Sequence, residues 1–165
     1  MFWGPLARLG LVTAAVTAAA DQALKLWLLF VFGLQEGERV HVTPFFDLVL
    51  VWNKGISFGR FQQQGGQWLL LTLTAVAVML LWTWLTRSTS RLMVLSLALI
   101  IGGAVGNAID RWRYGAVADF VLLHLTTTSF RFEWYVFNLA DAAIVAGVAG
   151  LLYELVVERR AAKQP

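Results

Sequence analysis

Two carboxylates in this chain have the surroundings that acid–base chemistry needs. Asp119 is flanked by apolar residues, and Asp141 follows 22 positions later, at the beginning of a long apolar run. When two carboxylates share a site of low dielectric constant, desolvation and the neighbour's charge raise one pKa, so one group stays protonated while the other ionises. The ionised group can take a proton from water, and the protonated group can supply one to a departing amine. The pair therefore predicts peptide hydrolysis by two aspartates.

Amide and guanidinium side chains near the two acids could serve the same reaction. Gly103, Asn107 and Arg111 recur at four-residue intervals, so a helix would place them on one face together with Asp110. Such groups can hold a substrate backbone or stabilise the oxyanion that develops during hydrolysis. The candidate substrate-binding side chains are those of Asn53, Asn107, Arg111 and Asn138.

These residues also have structural interpretations. Asn138 could cap a helix whose first turn contains Asp141, and the glycines at 102 and 106 could serve helix packing alone. Asp119 by itself would be an ordinary loop carboxylate. However, the nine residues from Asp110 to Asp119 span up to ~30 Å when extended. The loop could therefore fold back and set Asp119 beside Asp141.

The apolar residues are arranged as membrane-spanning segments. Of the 165 residues, 59% are hydrophobic and 14% charged, against roughly 45–50% and 25% in soluble domains. Four runs, at about 9–32, 68–85, 92–110 and 138–157, approach the ~20 residues that cross a ~30 Å hydrocarbon core. The first contains Asp21 and Lys25, which are four residues apart and can pair on one helix face. An α-helical integral membrane protein is predicted, with a single domain over 1–165.

The first run also imitates a secretory signal peptide. Arg8 is followed by an apolar stretch and by three consecutive alanines at 18–20, as at a cleavage site. Apolar sequence resumes directly afterwards, which favours an uncleaved first helix.

Basic residues predict the orientation in the membrane. Arginine and lysine are densest before the first run, between the second and third, and after the fourth. The two long connections, at about 34–67 and 111–136, carry an equal number spread over far more residues. The positive-inside rule therefore places both termini in the cytoplasm, and both long loops and the candidate site on the outer side.

The outer loops contain strand patterns. Residues 45–52 are rich in β-branched and aromatic types after a Thr-Pro breaker. Residues 130–134 alternate with period two, as a half-buried strand does, and residues 120–125 could be their hairpin partner. A small extracytoplasmic β-sheet with exposed aromatic residues is predicted, and a turn or short interfacial piece at 62–67.

Composition disfavours several other sites. The chain has no cysteine, which excludes disulfides and thiolate chemistry. Its two histidines, His41 and His124, lack a metal-binding spacing and are interpreted as ordinary loop or strand residues, so no metal site is expected. The net charge of +3 is small and scattered along the chain, so no nucleic-acid partner is expected.

Five local patterns, in order along the chain, resemble the lipoprotein signal peptidase family, also called signal peptidase II. The resemblance covers nearly the whole chain, and the third and fifth patterns are the most specific. They are Asp21-Gln22 with Lys25; Asn53 with Gly55, Phe58 and Gly59; Gly102-Gly103-x-x-Gly106-Asn107-x-x-Asp110-Arg111; Val117-x-Asp119-Phe120; and Phe137-Asn138-x-Ala140-Asp141.

The resemblance implies an aspartic endopeptidase of the bacterial inner membrane that cuts diacylglyceryl-modified prolipoproteins before the lipid-carrying cysteine. It implies contact with membrane lipid and no metal or organic cofactor, and we expect a monomer. By motif match the catalytic pair would be Asp119 and Asp141. The residues lining or supporting the site would be Asn53, Asn107, Arg111, Asn138, Gly103 and Asp21.

Three positions depart from the family pattern. Trp134-Tyr135 stands where Trp-Pro is common, Ser57 where alanine is usual, and Ala142 where serine is common. None removes a proposed catalytic group; the departures concern loop geometry and contacts with the lipid head.

Other functions fit parts of the sequence. A serine/lysine peptidase would use Ser57 with Lys54 or Lys25. A small ion-coupled transporter would use the aspartates of the apolar runs as proton sites, although four spans without a repeat are few for that class. A non-catalytic assembly protein would use the polar groups for helix association.

Overall fold

Four long helices form the body of the protein. The computed structural model describes residues 3–55, 66–127 and 129–161. The helices are α1 (Ala7–Leu26), continued by π-helical turns over Trp27–Phe32, then α2 (Gly66–Arg87), α3 (Arg91–Tyr114) and α4 (Leu139–Ala161). Each contains a segment long and apolar enough to cross a membrane, with mean hydropathy between 1.4 and 2.2. The four predicted spans are therefore confirmed.

Helix α3 ends later than the sequence indicated. It continues through Arg111 to Tyr114 and stops at Gly115, whose φ of +74° is a left-handed conformation suited to glycine. The predicted beginning of the second long loop at 111 is therefore wrong by about one turn. The extra turn keeps Arg111 on the same rigid helix as Asn107.

The helix α3 lies between its neighbours and packs against α1, α2 and α4. Its glycines allow backbones to approach closely. A Cβ on Gly102 would lie 2.6 Å from the carbonyl oxygen of Ala14 in α1, and one on Gly103 would lie 2.4 Å from that of Ala140 in α4. Larger residues here would push apart the helices that carry the polar groups.

A four-stranded antiparallel sheet lies beside the helices. Its strands are β1 (Arg39–Thr43), β2 (Phe46–Asn53), β3 (Val117–Thr126) and β4 (Arg131–Glu133), in the order β1-β2-β3-β4. The predicted strand at 45–52 and the predicted hairpin between 120–125 and 130–134 are confirmed as β2, β3 and β4. Strand β1 was not predicted.

Two expectations about these strands are wrong. Asp119 does not lie in a loop: it is the third residue of β3, where it pairs with Val51 of β2. Strand β4 is exposed along its whole length, because it lies at the edge of the sheet. Its aromatic residues contact one another instead, with ring centroids 6.3 Å apart for Phe130 and Phe132 and 5.8 Å for Phe132 and Trp134.

The two histidines lie close together in the sheet, which the sequence did not indicate. Both lie in strands of the sheet, and their ring centroids are 5.8 Å apart. The register of β1 on β2 and of β2 on β3 brings both rings to Asp47. Spacing along the chain did not show this, because the two residues are 83 positions apart.

Some predicted features lie outside the described residues. These are Ser57, Phe58 and Gly59, and most of the predicted turn at 62–67. The basic side chains after residue 157 are not described either.

Candidate active site

Asn138 joins the two candidate catalytic acids. Its Nδ2 donates to Asp119 Oδ1 at 2.6 Å, and its backbone N–H donates to Asp141 Oδ2 at 3.2 Å. Asn138 is fully buried. The structure therefore brings a strand carboxylate and a helix carboxylate onto one asparagine.

The beginning of α4 holds Asp141 in place. Asp141 N–H donates to Asn138 Oδ1 at 2.9 Å, and this bond is returned by the Asn138 N–H bond to Asp141. The two residues thus form a reciprocal cap on the first turn of α4. Capping and participation in the site are therefore compatible, since Asp141 Oδ1 remains free of the cap and accepts a hydrogen bond from Asn107 Nδ2 at 2.8 Å.

Asn107 connects this pair to a buried ionic network. Its Oδ1 accepts from Asn138 Nδ2 at 3.0 Å and from Lys25 Nζ at 3.1 Å. Lys25 Nζ lies 2.8 Å from Asp21 Oδ2 and 2.8 Å from Asp110 Oδ2. The predicted pairing of Asp21 with Lys25 is confirmed, and Asp110 is a second partner.

The network also binds the backbone of two other segments, α4 and β3. Asp21 Oδ1 accepts from the N–H of Ala140 in α4 at 3.0 Å, and Asp110 Oδ2 accepts from the N–H of Ala118 in β3 at 3.1 Å. Gln22 Nε2 donates to Asp110 Oδ1 at 2.7 Å. These bonds hold α1, α3, α4 and the beginning of β3 in one arrangement. Ala118 and Ala140 each directly precede a candidate catalytic aspartate.

Three members of this network are missing from the predicted set of site residues: Gln22, Lys25 and Asp110. The spacing of Asp21 and Lys25 indicated their pairing. The contact between Lys25 and Asp110 spans 85 positions, so local periodicity could not show it. Three ionisable groups in apolar runs were the available signal.

The other predicted site residues lie around the pair in different ways. Asn53 Nδ2 donates to Asp119 Oδ2 at 3.1 Å, because β2 pairs with β3 beside it. Arg111 is half-buried on α3, and among the described residues its Nε has no hydrogen-bond partner. Gly103 lies where α3 packs closely on α4, and Asp21 accepts a hydrogen bond from the N–H of Ala140. Neither touches the acids directly.

The surroundings of Asp119 favour its protonated form. The residue is 2% exposed. Burial raises the pKa of Asp119 to about 6; the charge of Asp141 acts in the same direction, while hydrogen bonds from Asn53 and Asn138 and the charge of Lys25 oppose the rise. A carboxyl with this pKa can hold or release a proton near neutral pH, as acid–base catalysis requires.

Replacing Asn53 by alanine is expected to raise the pKa of Asp119 further. The substitution removes a hydrogen bond that stabilises the carboxylate. If Asp119 is a catalytic group, its pKa gives the profile of kcat/KM against pH, which reports free-enzyme groups, a limb near pH 6. In the Asn53 variant this limb should move to higher pH. Lys54→Ala, on the neighbouring exposed residue, is the matched control. An unshifted limb in the Asn53 variant would contradict the assignment of that limb to Asp119.

The raised pKa of Asp119 also makes the free energy of unfolding depend on pH. The folded state holds the Asp119 proton to about pH 6, whereas an unfolded chain releases it near 3.9. Between these values the folded state binds more protons, so this residue's contribution to the free energy of unfolding falls as pH rises through the window.

Comparison with known proteins identifies the family. The family model for signal peptidase (SPase) II matches residues 13–157. The chain belongs to the signal peptidase II family. It is 56% identical over 160 residues to a lipoprotein signal peptidase of Nitrobacter hamburgensis, covering 96% of this chain and 98% of that one. It is 54% identical to one of Rhodopseudomonas palustris with the same coverage.

Solved structures share the fold. Two structures described as a bacterial membrane enzyme, solved by the in meso method, each superpose with a TM-score of 0.77 at 23% identity. They cover 95% and 94% of this chain, and 93% and 97% of their own chains. This signal peptidase is therefore a multi-pass membrane protein and an aspartic peptidase by family.

Proposed function

We propose that Asp119 and Asp141 are the acid/base pair with which this peptidase removes the signal peptides of diacylglyceryl-modified prolipoproteins, cutting before the lipidated cysteine. The observation that carries this proposal is the attachment of both carboxylates to Asn138. The family supplies the reaction, and its relatives are named as lipoprotein signal peptidases.

In the proposed reaction the two aspartates act as base and acid. The ionised aspartate takes a proton from a water molecule, whose oxygen bonds to the carbon of the scissile carbonyl. The protonated aspartate then gives its proton to the amide nitrogen as the carbon–nitrogen bond breaks. After the cut the two carboxyls together again hold one proton. Asn53, which donates to Asp119, and Arg111, whose Nε has no partner among the described residues, can hold the substrate backbone or the developing oxyanion.

The orientation of the chain belongs to the same proposal. The ionic network and both acids lie at the ends of α1, α3 and α4 that connect to the sheet. With the short basic segments in the cytoplasm, this end faces the outer side of the bacterial inner membrane, where lipidated precursors expose their cleavage sites. Both termini are then cytoplasmic. We expect a monomer to suffice, since one chain supplies both acids and their supports.

Two observations on the described residues count against the other candidate functions. Lys25 is 2% exposed and held between two carboxylates, so it is unsuited to activate a serine. The aspartates of the apolar runs meet in one network at one end of the helices, and do not form a path across the membrane.

Cleavage should depend on the lipid of the precursor. Purified protein in detergent is offered a diacylglyceryl-modified precursor and, as the matched control, the same precursor without lipid. We expect kcat/KM to fall at least ~100-fold without lipid, because transferring only four methylenes from water contributes ~3 kcal/mol at ~0.8 kcal/mol each. Equal cleavage of both precursors would contradict the substrate class, and no cleavage of either would favour a transporter or an assembly protein.

A further inference from the structure

The outer sheet carries a second group of polar side chains, formed by His41, Asp47 and His124. His41 of β1 is paired directly with Asp47 of β2, and Asp47 is paired with Leu122 of β3, two residues before His124. Side chains alternate across a strand, so Asp119 points to the opposite face. It is also five residues away along β3, or about 16 Å. The group is thus separate from the candidate active site.

Two imidazoles converge on the carboxylate of Asp47. His41 Nδ1 lies 2.5 Å from Asp47 Oδ1, and His124 Nε2 lies 3.2 Å from Asp47 Oδ2. One donor atom from each of the three residues falls within 4.8 Å of the others. Asp47 is completely buried, whereas the His41 side chain is 66% exposed on the edge strand. The group is therefore enclosed except at His41, where it is open to solvent.

His124 lacks the hydrogen bond that a buried imidazole normally makes. Its side chain is 7% exposed, and its Nε2 has no hydrogen-bond partner among the residues that the structure describes. The nearby Asp47 oxygen is close enough but not aligned for such a bond. A buried nitrogen without a partner costs free energy. An additional ligand between the three donors would remove that cost.

Asp47 is prepared to act as an anionic ligand. Its buried carboxylate forms an ion pair with the guanidinium of Arg39. Arg39 Nε donates to Oδ2 at 2.5 Å and its Nη1 bonds Glu133 at 2.9 Å. Oδ1 is not engaged by this arginine. Metal-binding carboxylates commonly have such an outer hydrogen-bond partner.

We propose that His41, Asp47 and His124 bind one divalent ion of the zinc class, through His41 Nδ1, Asp47 Oδ1 and His124 Nε2. Imidazole nitrogens and a carboxylate oxygen suit Zn²⁺, whereas Mg²⁺ and Ca²⁺ require oxygen ligands. Neighbouring donors around tetrahedral Zn²⁺ are about 3.3 Å apart, so the donors must adjust by one to two ångströms. The exposed ring of His41 can make most of this adjustment.

The ion would have a structural role. In the sheet order, β1 is joined to β2 but not to β3. An ion held by His41 and His124 would link β1 directly to β3 through side chains. This site is independent of the proposed peptidase reaction, because none of its three ligands touches Asp119 or Asp141.

The composition of the chain makes Zn²⁺ binding at these residues easy to assign. His41 and His124 are its only histidines, and it has no cysteine. Protein without a histidine tag is labelled with ¹⁵N-histidine and titrated with Zn²⁺ in detergent, while NMR follows the four ring nitrogens. We expect saturation at one equivalent, with shifts of His41 Nδ1 and His124 Nε2 that mark metal bonding. Calorimetry on the same protein gives the affinity.

His41→Ala should weaken Zn²⁺ binding at least tenfold and abolish the rise in unfolding temperature that Zn²⁺ causes in the unsubstituted protein. Because the His41 side chain is exposed, the substitution should leave the fold intact. Glu36→Gln, at another exposed residue of the outer loop, is the control that should bind normally. Absence of saturable binding by the unsubstituted protein, or unchanged affinity in His41→Ala, would overturn the site. Either result would leave the peptidase proposal standing, since cleavage is measured separately.

Discussion

Asp119→Asn and Asp141→Asn should each slow cleavage of a lipidated precursor by about 10³-fold, within the 10²–10⁴-fold range of acid–base catalysis. An amide has nearly the shape of a carboxyl but can neither accept the proton of the attacking water nor supply one to the leaving amine. The measurement is single-turnover cleavage by purified variants, so that weakened substrate binding and slowed chemistry can be separated.

Loss of activity must occur without loss of the fold. Asparagine at 119 removes a carboxyl that burial disfavours in its ionised form, so the unfolding temperature at pH 7 should be unchanged or higher. Asparagine at 141 keeps an oxygen for the cap with Asn138. Glu36→Gln supplies an exposed carboxylate as control. Retained cleavage by either aspartate variant would refute the pair.

The serine/lysine alternative is tested in the same assay. Ser57→Ala should cleave the precursor at the rate of the unsubstituted protein, because the proposed reaction uses no hydroxyl nucleophile. Inactive Ser57→Ala beside active aspartate variants would reverse the assignment.

Lys25→Met should have the largest effect on stability, a loss of about 3–5 kcal/mol as for other broken buried ion pairs. Lys25 Nζ is the cation that both Asp21 and Asp110 contact at 2.8 Å, and it also donates to Asn107. Methionine fills similar space but leaves two buried carboxylates facing each other without it. Unfolding in mixed detergent, followed by tryptophan fluorescence, measures the loss.

A second substitution distinguishes charge from packing. Adding Asp21→Asn to Lys25→Met removes one of the two uncompensated carboxylates and should restore part of the lost stability. Asp21→Asn alone should be milder than Lys25→Met, because Lys25 keeps Asp110 as a partner. Lys54→Met, at an exposed lysine, should change little. If Lys25→Met is as stable as the unsubstituted protein, the network does not hold the helices together.

Local patterns in the sequence were sufficient to predict much of the fold and part of the candidate site. The four spans follow from runs of apolar residues, the pairing of Asp21 with Lys25 from helical spacing, and the cap of Asn138 on Asp141 from a three-residue interval. Each of these depends only on residues that are close together in the chain. The family motifs added the candidate acids, and the helices and strands then supplied a place for them.

Strand register and helix packing decided the remainder. Strand β1 escaped prediction although its two valines alternate with polar residues, because it is only five residues long and ends at the Thr-Pro breaker. Asp119 belongs to β3 because that segment pairs with β2, a partner nearly 70 positions earlier. The ion pair between Lys25 and Asp110 joins residues far apart in the chain. The same holds for His41 and His124, which both approach Asp47. Periodicity reports which face of an element is apolar, but only the packed structure determines which distant side chains share a face.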